Sequence, residues 1–223
     1  MPDIIRQHLA AAWPETVPFP ELDGRAVGRP TEDLEKLVPR IRDMQIVRTI
    51  VEIGGELGGS TRFFLNTFAD SRVITIDPWG EGYGHVARRW PDVAEFAKAD
   101  NYAYYRVFLS LNWRWRHRLW PMRTTSGVAL PQLFRLGLRP DLIYLDGLHT
   151  YHGCYDDLAL SHYLFPTALV CGDDWAYRPG GDAAQFRGFE LPVQRAVVDF
   201  AQTHGNLEII VEGNSYLLGP PAK

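Results

Sequence analysis

The sequence is poor in cysteine and in long apolar runs. Its two cysteines, Cys154 and Cys171, make no disulfide framework and no metal-binding spacing, which fits a reducing compartment. No apolar stretch approaches the roughly 20 residues that span a bilayer. Residues 1–24 are interrupted by prolines and lack the basic start and apolar run of a signal peptide. We therefore expect a cytoplasmic protein without a transmembrane segment.

A large excess of charge is also lacking. Lys and Arg total 23 against 27 Asp and Glu, a formal net charge of -4, so the overall field does not favour nucleic acid or anionic membranes. The 46% hydrophobic content of 223 residues suffices for one cored domain, or at most two small ones, and excludes disordered and collagen-like chains. We expect a small, mildly polar partner and no nucleic acid. An apolar helix over residues 4–12 is compatible with a homo-oligomer interface.

From residue 49 onward, short β-branched runs alternate with longer amphipathic segments. Residues 60–68 predict a helix with Ser60 as its N-cap, and residues 191–203 predict a second helix. LEIIVE, Gly213–Asn214 and SYLLG predict a C-terminal antiparallel hairpin. The alternation indicates an α/β fold with a doubly wound, mostly parallel sheet. The predicted strands are residues 49–53, 73–77, 141–146, 168–172 and 207–212.

The region before residue 49 is organised differently. Residues 1–30 are proline-rich and poorly periodic, and residues 31–44 predict a helix behind Thr31. We therefore divide the chain into an N-terminal helical extension, residues 1–48, and a catalytic domain, residues 49–223.

A glycine cluster follows the first predicted strand. It has an E-x-G-x-x-x-G pattern from Glu52 to Gly58, not the G-x-G-x-x-G of dinucleotide sites. The next strand ends 23 residues after Gly54, at Asp77, where doubly wound folds place the acidic residue that binds a ribose diol. A tight turn would explain the glycines alone. Together with Asp77, they predict a ligand that carries adenosine without a pyrophosphate.

Acidic residues end two further strands. DLIYLD ends at Asp146, and ALVCGDD ends at Asp173 and Asp174. Three carboxylates at one sheet edge would repel one another unless a cation neutralised them, and Mg²⁺, Mn²⁺ or Ca²⁺ suits an all-oxygen site. Alternatively, one of the paired aspartates caps the next segment and Asp146 pairs with an arginine. His149, with an ordinary pKa of about 6.5, is placed to act as a general base.

The segments VEIGGELGGS and VITIDPW and the final hairpin resemble the Rossmann-like S-adenosylmethionine-dependent methyltransferases, over about residues 49–219. The resemblance implies a seven-stranded sheet and S-adenosylmethionine as cofactor, with residues 54–60 around its methionine part and Asp77 on its ribose. MRTTSGVALPQL is similar to the family's adenine-side loop. The cofactor-binding candidates are Glu52, Gly54, Gly55, Gly58, Ser60, Asp77, Thr125, Ser126 and Asp146.

YLDGLHTYHGCYDDL followed by CGDDW resembles the metal-dependent sugar O-methyltransferases of macrolide and aminocoumarin biosynthesis. The resemblance implies that Asp146, Asp173 and Asp174 hold Mg²⁺ or another hard divalent ion. In that group a base follows the first aspartate by two or three residues. Leu148 occupies the nearer position, so His149 is the expected base. The implied reaction is methyl transfer to a hydroxyl of a sugar, an oligosaccharide or a glycosylated small molecule.

Other segments offer substrate contacts. Residues 78–90 and 175–190 follow strand ends and are candidate lids or substrate loops. NWRWRHRLW, residues 112–120, could bind a phosphate, an anionic polymer or a membrane surface, but solvated arginines at a helix end are the favoured interpretation. The candidate substrate residues are Tyr151, His152 and Trp175.

Three other functions are compatible with these motifs. A catechol-type O-methyltransferase would use the same ion on an aromatic diol. A non-heme iron hydroxylase would use His149, His152 and an aspartate as ligands. A non-catalytic S-adenosylmethionine-binding protein would keep the glycine turn and Asp77 and leave the other carboxylates solvated.

Overall fold

The structure is a computed structural model that describes residues 5, 7, 11–28, 31–80, 84–98, 103–177 and 191–221. Its strands are β1 Thr49–Ile53, β2 Arg72–Asp77, β3 Leu119–Arg123, β4 Leu142–Leu145, β5 Leu169–Gly172, β6 Leu207–Glu212 and β7 Ser215–Pro221. Its α-helices are α1 Glu32–Met44, α2 Gly59–Thr67, α3 Gly84–Arg89, α4 Pro91–Phe96, α5 Ala103–Leu111, α6 Ser126–Arg135, α7 Tyr151–Leu164 and α8 Pro192–Thr203. Short 3-10 helices cover Pro20–Leu22 and Trp113–Trp115. None of these helices is long and apolar enough to cross a membrane.

The seven strands form one sheet in the order β3-β2-β1-β4-β5-β7-β6. Strand β2 pairs with β3, and β4 with both β1 and β5, all in parallel. Strand β7 runs antiparallel to β5 and β6. The predicted doubly wound, mostly parallel, seven-stranded sheet with a C-terminal antiparallel hairpin is therefore confirmed.

Most predicted elements are present, with some differences. Strand β3 was not predicted, since residues 112–120 were interpreted as a helix end. The strand contains Pro121, whose missing N–H is tolerated because β3 lies at the sheet edge. The N-cap of α2 is Gly58, not Ser60. Helix α6 occupies much of the predicted adenine-side loop, and α3 lies within the predicted loop 78–90.

Some predictions fall outside the described residues. The second candidate loop is described only as far as residue 177, and the helix predicted over residues 4–12 is described only in part. The division at residue 48 stays a prediction.

Backbone contacts divide the chain into two compact units. The first unit comprises Met1–Pro30 and Gly55–Leu138. In it, residues 19–27 pack against the helices that follow β2 and against Leu57 of the glycine turn. The apolar cluster at this contact consists of Leu22, Val27, Leu57, Val86, Val93, Val107 and Leu111.

The second unit comprises Thr31–Gly54 and Arg139–Lys223. In it, α1 packs on the hairpin strands β6 and β7 and buries Leu34, Leu37, Val38 and Ile41. At the start of α1, the Asp33 carboxylate accepts a hydrogen bond of 2.9 Å from the backbone N–H of Asn214. Helix α1 therefore holds the turn of the C-terminal hairpin.

This packing predicts the effect of truncating the buried face of α1. Ile41 is fully buried, so we expect Ile41→Ala to lower the free energy of unfolding by about 2–5 kcal/mol, through lost burial and the cavity left behind. Arg40→Ala, at the exposed neighbouring position, should change it by less than about 0.5 kcal/mol. Urea denaturation measures both values. Equal effects would contradict the packing of α1 on the hairpin.

Candidate active site

In the first unit, the Asp77 carboxylate organises the turn after β1. One of its oxygens, Oδ2, accepts hydrogen bonds of 3.0 Å from the backbone N–H groups of both Gly55 and Glu56. Its Oδ1 accepts a 2.7 Å bond from the N–H of Trp79. Trp79 is fully buried and donates from Nε1 to the carbonyl of Glu56 at 2.8 Å. Asp77, at the end of β2, is thus bound to the backbone of the turn after β1 and helps to fix its conformation.

Gly58 is the N-cap of α2 and has a backbone conformation that requires glycine. Its φ is 82°, and a Cβ there would lie 2.4 Å from Nδ2 of Asn112. Arg62 donates from Nη1 to Oδ1 of Asn112 and to the carbonyl of Leu57, both at 2.9 Å, and from Nη2 to the carbonyl of Val27. Sequence reasoning missed Asn112 and Arg62, because nothing local pairs either residue with the turn.

The other cofactor candidates have varied environments. Thr125 is exposed and is the N-cap of α6, and Ser126 is its half-buried first residue. They follow β3, whose Arg123 is in register with Asp77. Glu52 is fully buried in β1, opposite Tyr144 of β4, and both strands belong to the second unit.

In the second unit, β1 and β4 end in very close approach. Gly54 has a φ of 92°, and a Cβ there would lie 1.8 Å from the carbonyl oxygen of Asp146. The N–H of Asp146 donates to the carbonyl of Ile53 at 2.8 Å. This backbone pairing places Asp146 directly after β4, and only glycine fits at position 54.

The imidazole of His149 contacts two carboxylates that follow different strands. Its Nε2 lies 3.2 Å from Oδ1 of Asp146 and 2.8 Å from Oδ2 of Asp174. Asp174 is buried, with a φ of 61°, and its Oδ1 accepts a bond of 3.1 Å from Nδ2 of Asn214. A non-glycine residue with positive φ at such a position indicates a conformation imposed by its surroundings.

Asp173 points toward the hairpin. Its Oδ1 accepts a hydrogen bond of 3.1 Å from the hydroxyl of Ser215. Burial, helped by the negative charge of Asp146, raises the pKa of Asp173 to about 6. Asn214 and Ser215 were not predicted to take part; the Gly-Asn turn signal located the hairpin but not its contacts.

The donor atoms of Asp146, His149 and Asp174 lie within 4.8 Å of one another. Two carboxylate oxygens and one imidazole nitrogen fit a divalent cation. Asp173, the remaining member of the predicted all-aspartate set, is not in this group. His149, predicted as a base, is.

The pKa of His149 reflects this environment. Burial lowers it, but the hydrogen bonds and negative charges of Asp146 and Asp174 outweigh burial and raise it from 6.5 to about 9. Without a metal ion, the imidazole is therefore protonated at neutral pH and neutralises part of the carboxylate charge.

The predicted substrate residues differ in their contacts and exposure. Tyr151 donates its hydroxyl to Oδ2 of Asp199 on α8 at 3.1 Å. His152 is exposed and does not belong to the group of converging donors, so the two-histidine iron site receives no support. Trp175 is half-buried, with its ring 6.1 Å from that of Tyr216. The ring of Tyr177 lies beside that of His149, with ring centroids 5.0 Å apart.

A protein-family model described as a methyltransferase domain matches residues 51–175. The chain belongs to this methyltransferase family. The expectation of a methyltransferase is thereby confirmed. No curated protein sequence is significantly similar to the chain.

Solved structures agree on the fold of this methyltransferase. An O-methyltransferase from Bacillus cereus, in complex with SAH, has a TM-score of 0.55 at 14% identity, with 97% of this chain and 89% of that chain covered. The O-methyltransferase TomG from Streptomyces achromogenes, in complex with SAM, has a TM-score of 0.51 at 20% identity, with 91% and 83% covered. These likenesses establish a shared fold.

The carboxylate contacts of His149 predict a pH dependence of stability in chelator-treated protein. Because its folded pKa, about 9, exceeds the ordinary 6.5, this stabilisation is fully present below about pH 6.5 and is lost as the pH rises through about 9. The loss is at most about 3 kcal/mol. We expect the difference in unfolding free energy between the wild type and His149→Gln to shrink accordingly between pH 6.5 and 10. A constant difference would contradict the ion pairing.

Proposed function

We propose that the chain is an S-adenosylmethionine-dependent O-methyltransferase that requires a divalent cation and methylates a hydroxyl of a sugar or glycosylated substrate. The observation that carries the proposal is the convergence of Asp146, His149 and Asp174 in a chain of the methyltransferase family.

The turn after β1 supports the cofactor assignment. Gly55 and Gly58 let the turn pack tightly against the side chains of Thr75 and Asn112, and Asp77 holds its N–H groups in place. In this proposal Asp77 also binds the ribose hydroxyls, with Ser60 near the methionine part and Thr125 and Ser126 toward the adenine. The remaining candidates of the predicted set are Glu52, Gly54 and Asp146. S-adenosylmethionine, when bound, supplies an electrophilic methyl group on a sulfonium.

Asp146 and Asp174 would hold the divalent ion, with Asp173 as a further carboxylate beside them. Such an ion lowers the pKa of a bound hydroxyl and neutralises carboxylate charge. Magnesium or manganese suits these carboxylate oxygens.

His149 is assigned the proton transfer. It accepts the acceptor hydroxyl's proton at Nε2, the atom that faces both carboxylates. Only a neutral imidazole can accept this proton. The two carboxylates favour the protonated imidazole, so they must have another positive partner, and a bound cation would be that partner. Asn214 and Ser215 orient Asp174 and Asp173 through their hydrogen bonds.

The acceptor is assigned from the side chains around the cluster. Tyr177 lies beside His149, and Trp175 is half-buried nearby in the chain, so aromatic faces for a sugar are present. Leu148, between Asp146 and His149, is 69% exposed. An exposed apolar side chain at this position also suits a catechol, which is the second candidate acceptor.

Cofactor binding is tested first. We expect S-adenosylhomocysteine to bind the wild type in calorimetric titration. Its 2′-deoxyadenosyl analogue should bind about tenfold or more weakly, since a hydrogen bond to a charged group contributes about 1.5–3 kcal/mol. In Asp77→Asn this preference should shrink, and in Asp70→Asn, at an exposed site, it should persist. A folded wild type that binds neither ligand would refute the cofactor assignment.

Turnover is tested on panels of glycosides and catechols. We expect chelation to abolish methyl transfer and Mg²⁺ or Mn²⁺ to restore it. Asp146→Asn and Asp174→Asn should raise the activating metal concentration at least about tenfold, because each removes a charged ligand. Asp156→Asn, on the exposed face of α7, is the control and should behave as wild type.

The role of His149 is separable in the same assay. His149→Gln should lower kcat by about 100- to 10,000-fold, as expected for loss of a general base, with an unchanged metal requirement. A variant that instead shifts the metal requirement as Asp146→Asn does would make His149 a ligand and not the base. Activity insensitive to chelation would refute the metal dependence.

A further inference from the structure

A cavity of about 440 Å³ lies in the first unit, at the amino-terminal edge of β2 and β3. Arg72, which begins β2, and Trp120, near the start of β3, both line it. Asp77 is at the other end of β2, five residues and about 16 Å away along the strand. The cavity is therefore separate from the turn proposed to bind the cofactor.

Three tryptophans form the walls of the cavity. The indole Nε1 of Trp13 donates to the carbonyl of Leu119 at 2.8 Å, and its ring meets that of Trp113 edge-on, with centroids 5.7 Å apart. Trp120 is almost fully buried, at 5% exposure. These contacts tie the segment around Trp13 to β3 and give the cavity a formed aromatic surface.

Two half-buried arginines add positive charge to this surface. The guanidinium of Arg116 lies 5.0 Å from the ring centre of Trp113 and donates to that residue's carbonyl at 3.3 Å. Within the described parts of the chain, neither Arg72 nor Arg116 forms an ion pair with a carboxylate. Glu15 is the one acidic residue of the lining, and it is exposed. The arginines outnumber it.

We propose that this cavity binds a small aromatic anion, a flat ring that carries a phosphate or a carboxylate. A planar ring packs on the tryptophan faces and edges, and arginine forks bind phosphate and carboxylate with paired hydrogen bonds. The volume lies within the range of about 300–1,000 Å³ found for small-molecule sites. The cavity also gives a use to Trp113, Arg116 and Trp120, which the proposed methyl transfer does not involve.

The ligand class is distinguished from simpler ones by its two parts. An inorganic anion would engage the arginines and leave the tryptophans unused. A neutral ring would offer no negative charge to the two guanidinium groups. Only a ligand with both features uses the whole lining, so the two parts should contribute together to affinity.

The test is calorimetric titration of the full chain with four probes: phenyl phosphate, indole-3-acetate, neutral indole-3-acetamide and inorganic phosphate. We expect at least one aromatic anion to bind, and to bind at least about tenfold more tightly than its neutral or ring-free counterpart.

Variants locate the binding. Arg72→Gln and Arg116→Gln should each weaken it at least about tenfold, the equivalent of one charge-assisted hydrogen bond. Arg72→Lys should retain part of the affinity. Arg135→Gln, on the exposed end of α6, should leave it within about twofold. Circular dichroism and the thermal midpoint verify the fold of each variant.

Three results would overturn the inference. They are no binding of either aromatic anion by the wild type, equal affinity for indole-3-acetamide, and equal loss in Arg72→Gln and Arg135→Gln. Each is independent of methyl transfer, because no cofactor or acceptor is present in the titration.

Discussion

The close approach of two strand ends is the constraint on which the acidic cluster depends. A side chain at position 54 would collide with the carbonyl of Asp146, so glycine is required where β1 meets the end of β4. This contact places Asp146 at the sheet edge, and His149 follows it by three residues. The residue after Gly54 begins the turn that Asp77 holds.

Charge is the second constraint. Asp174 is buried and Asp146 and Asp173 are half-buried. Burial and the charge of Asp146 raise the pKa of Asp173, and the nearby cation of the described cluster is His149. A buried carboxylate pair is costly unless it is neutralised. A proton shared with an imidazole and a bound divalent ion are two solutions to the same problem. The arrangement therefore suits a site whose charge balance changes when a cation binds.

The C-terminal hairpin has a role beyond closing the sheet. The backbone N–H of Asn214 donates to Asp33 of α1, and its side-chain amide donates to Asp174. The hydroxyl of Ser215 donates to Asp173. Helix α1 thereby reaches the acidic cluster through two hydrogen bonds. In the first unit, Arg62 and Asn112 hold the glycine turn through their hydrogen bonds, and the tryptophan-lined cavity lies at the amino-terminal ends of β2 and β3.

Local patterns in the sequence predicted the strands, the hairpin, the glycine turn and the position of each acidic residue, because periodicity and backbone restrictions act over a few neighbouring residues. They missed β3, whose Pro121 is acceptable only at a sheet edge. They also could not show that Nε2 of His149 faces both Asp146 and Asp174. Nor could they show that the side chain of Asn112 packs against Gly58. Such partners are far apart in the chain, and side-chain direction depends on packing. The sequence by itself determined the architecture and which strands end in acidic residues; the tertiary structure alone decided which of these side chains meet.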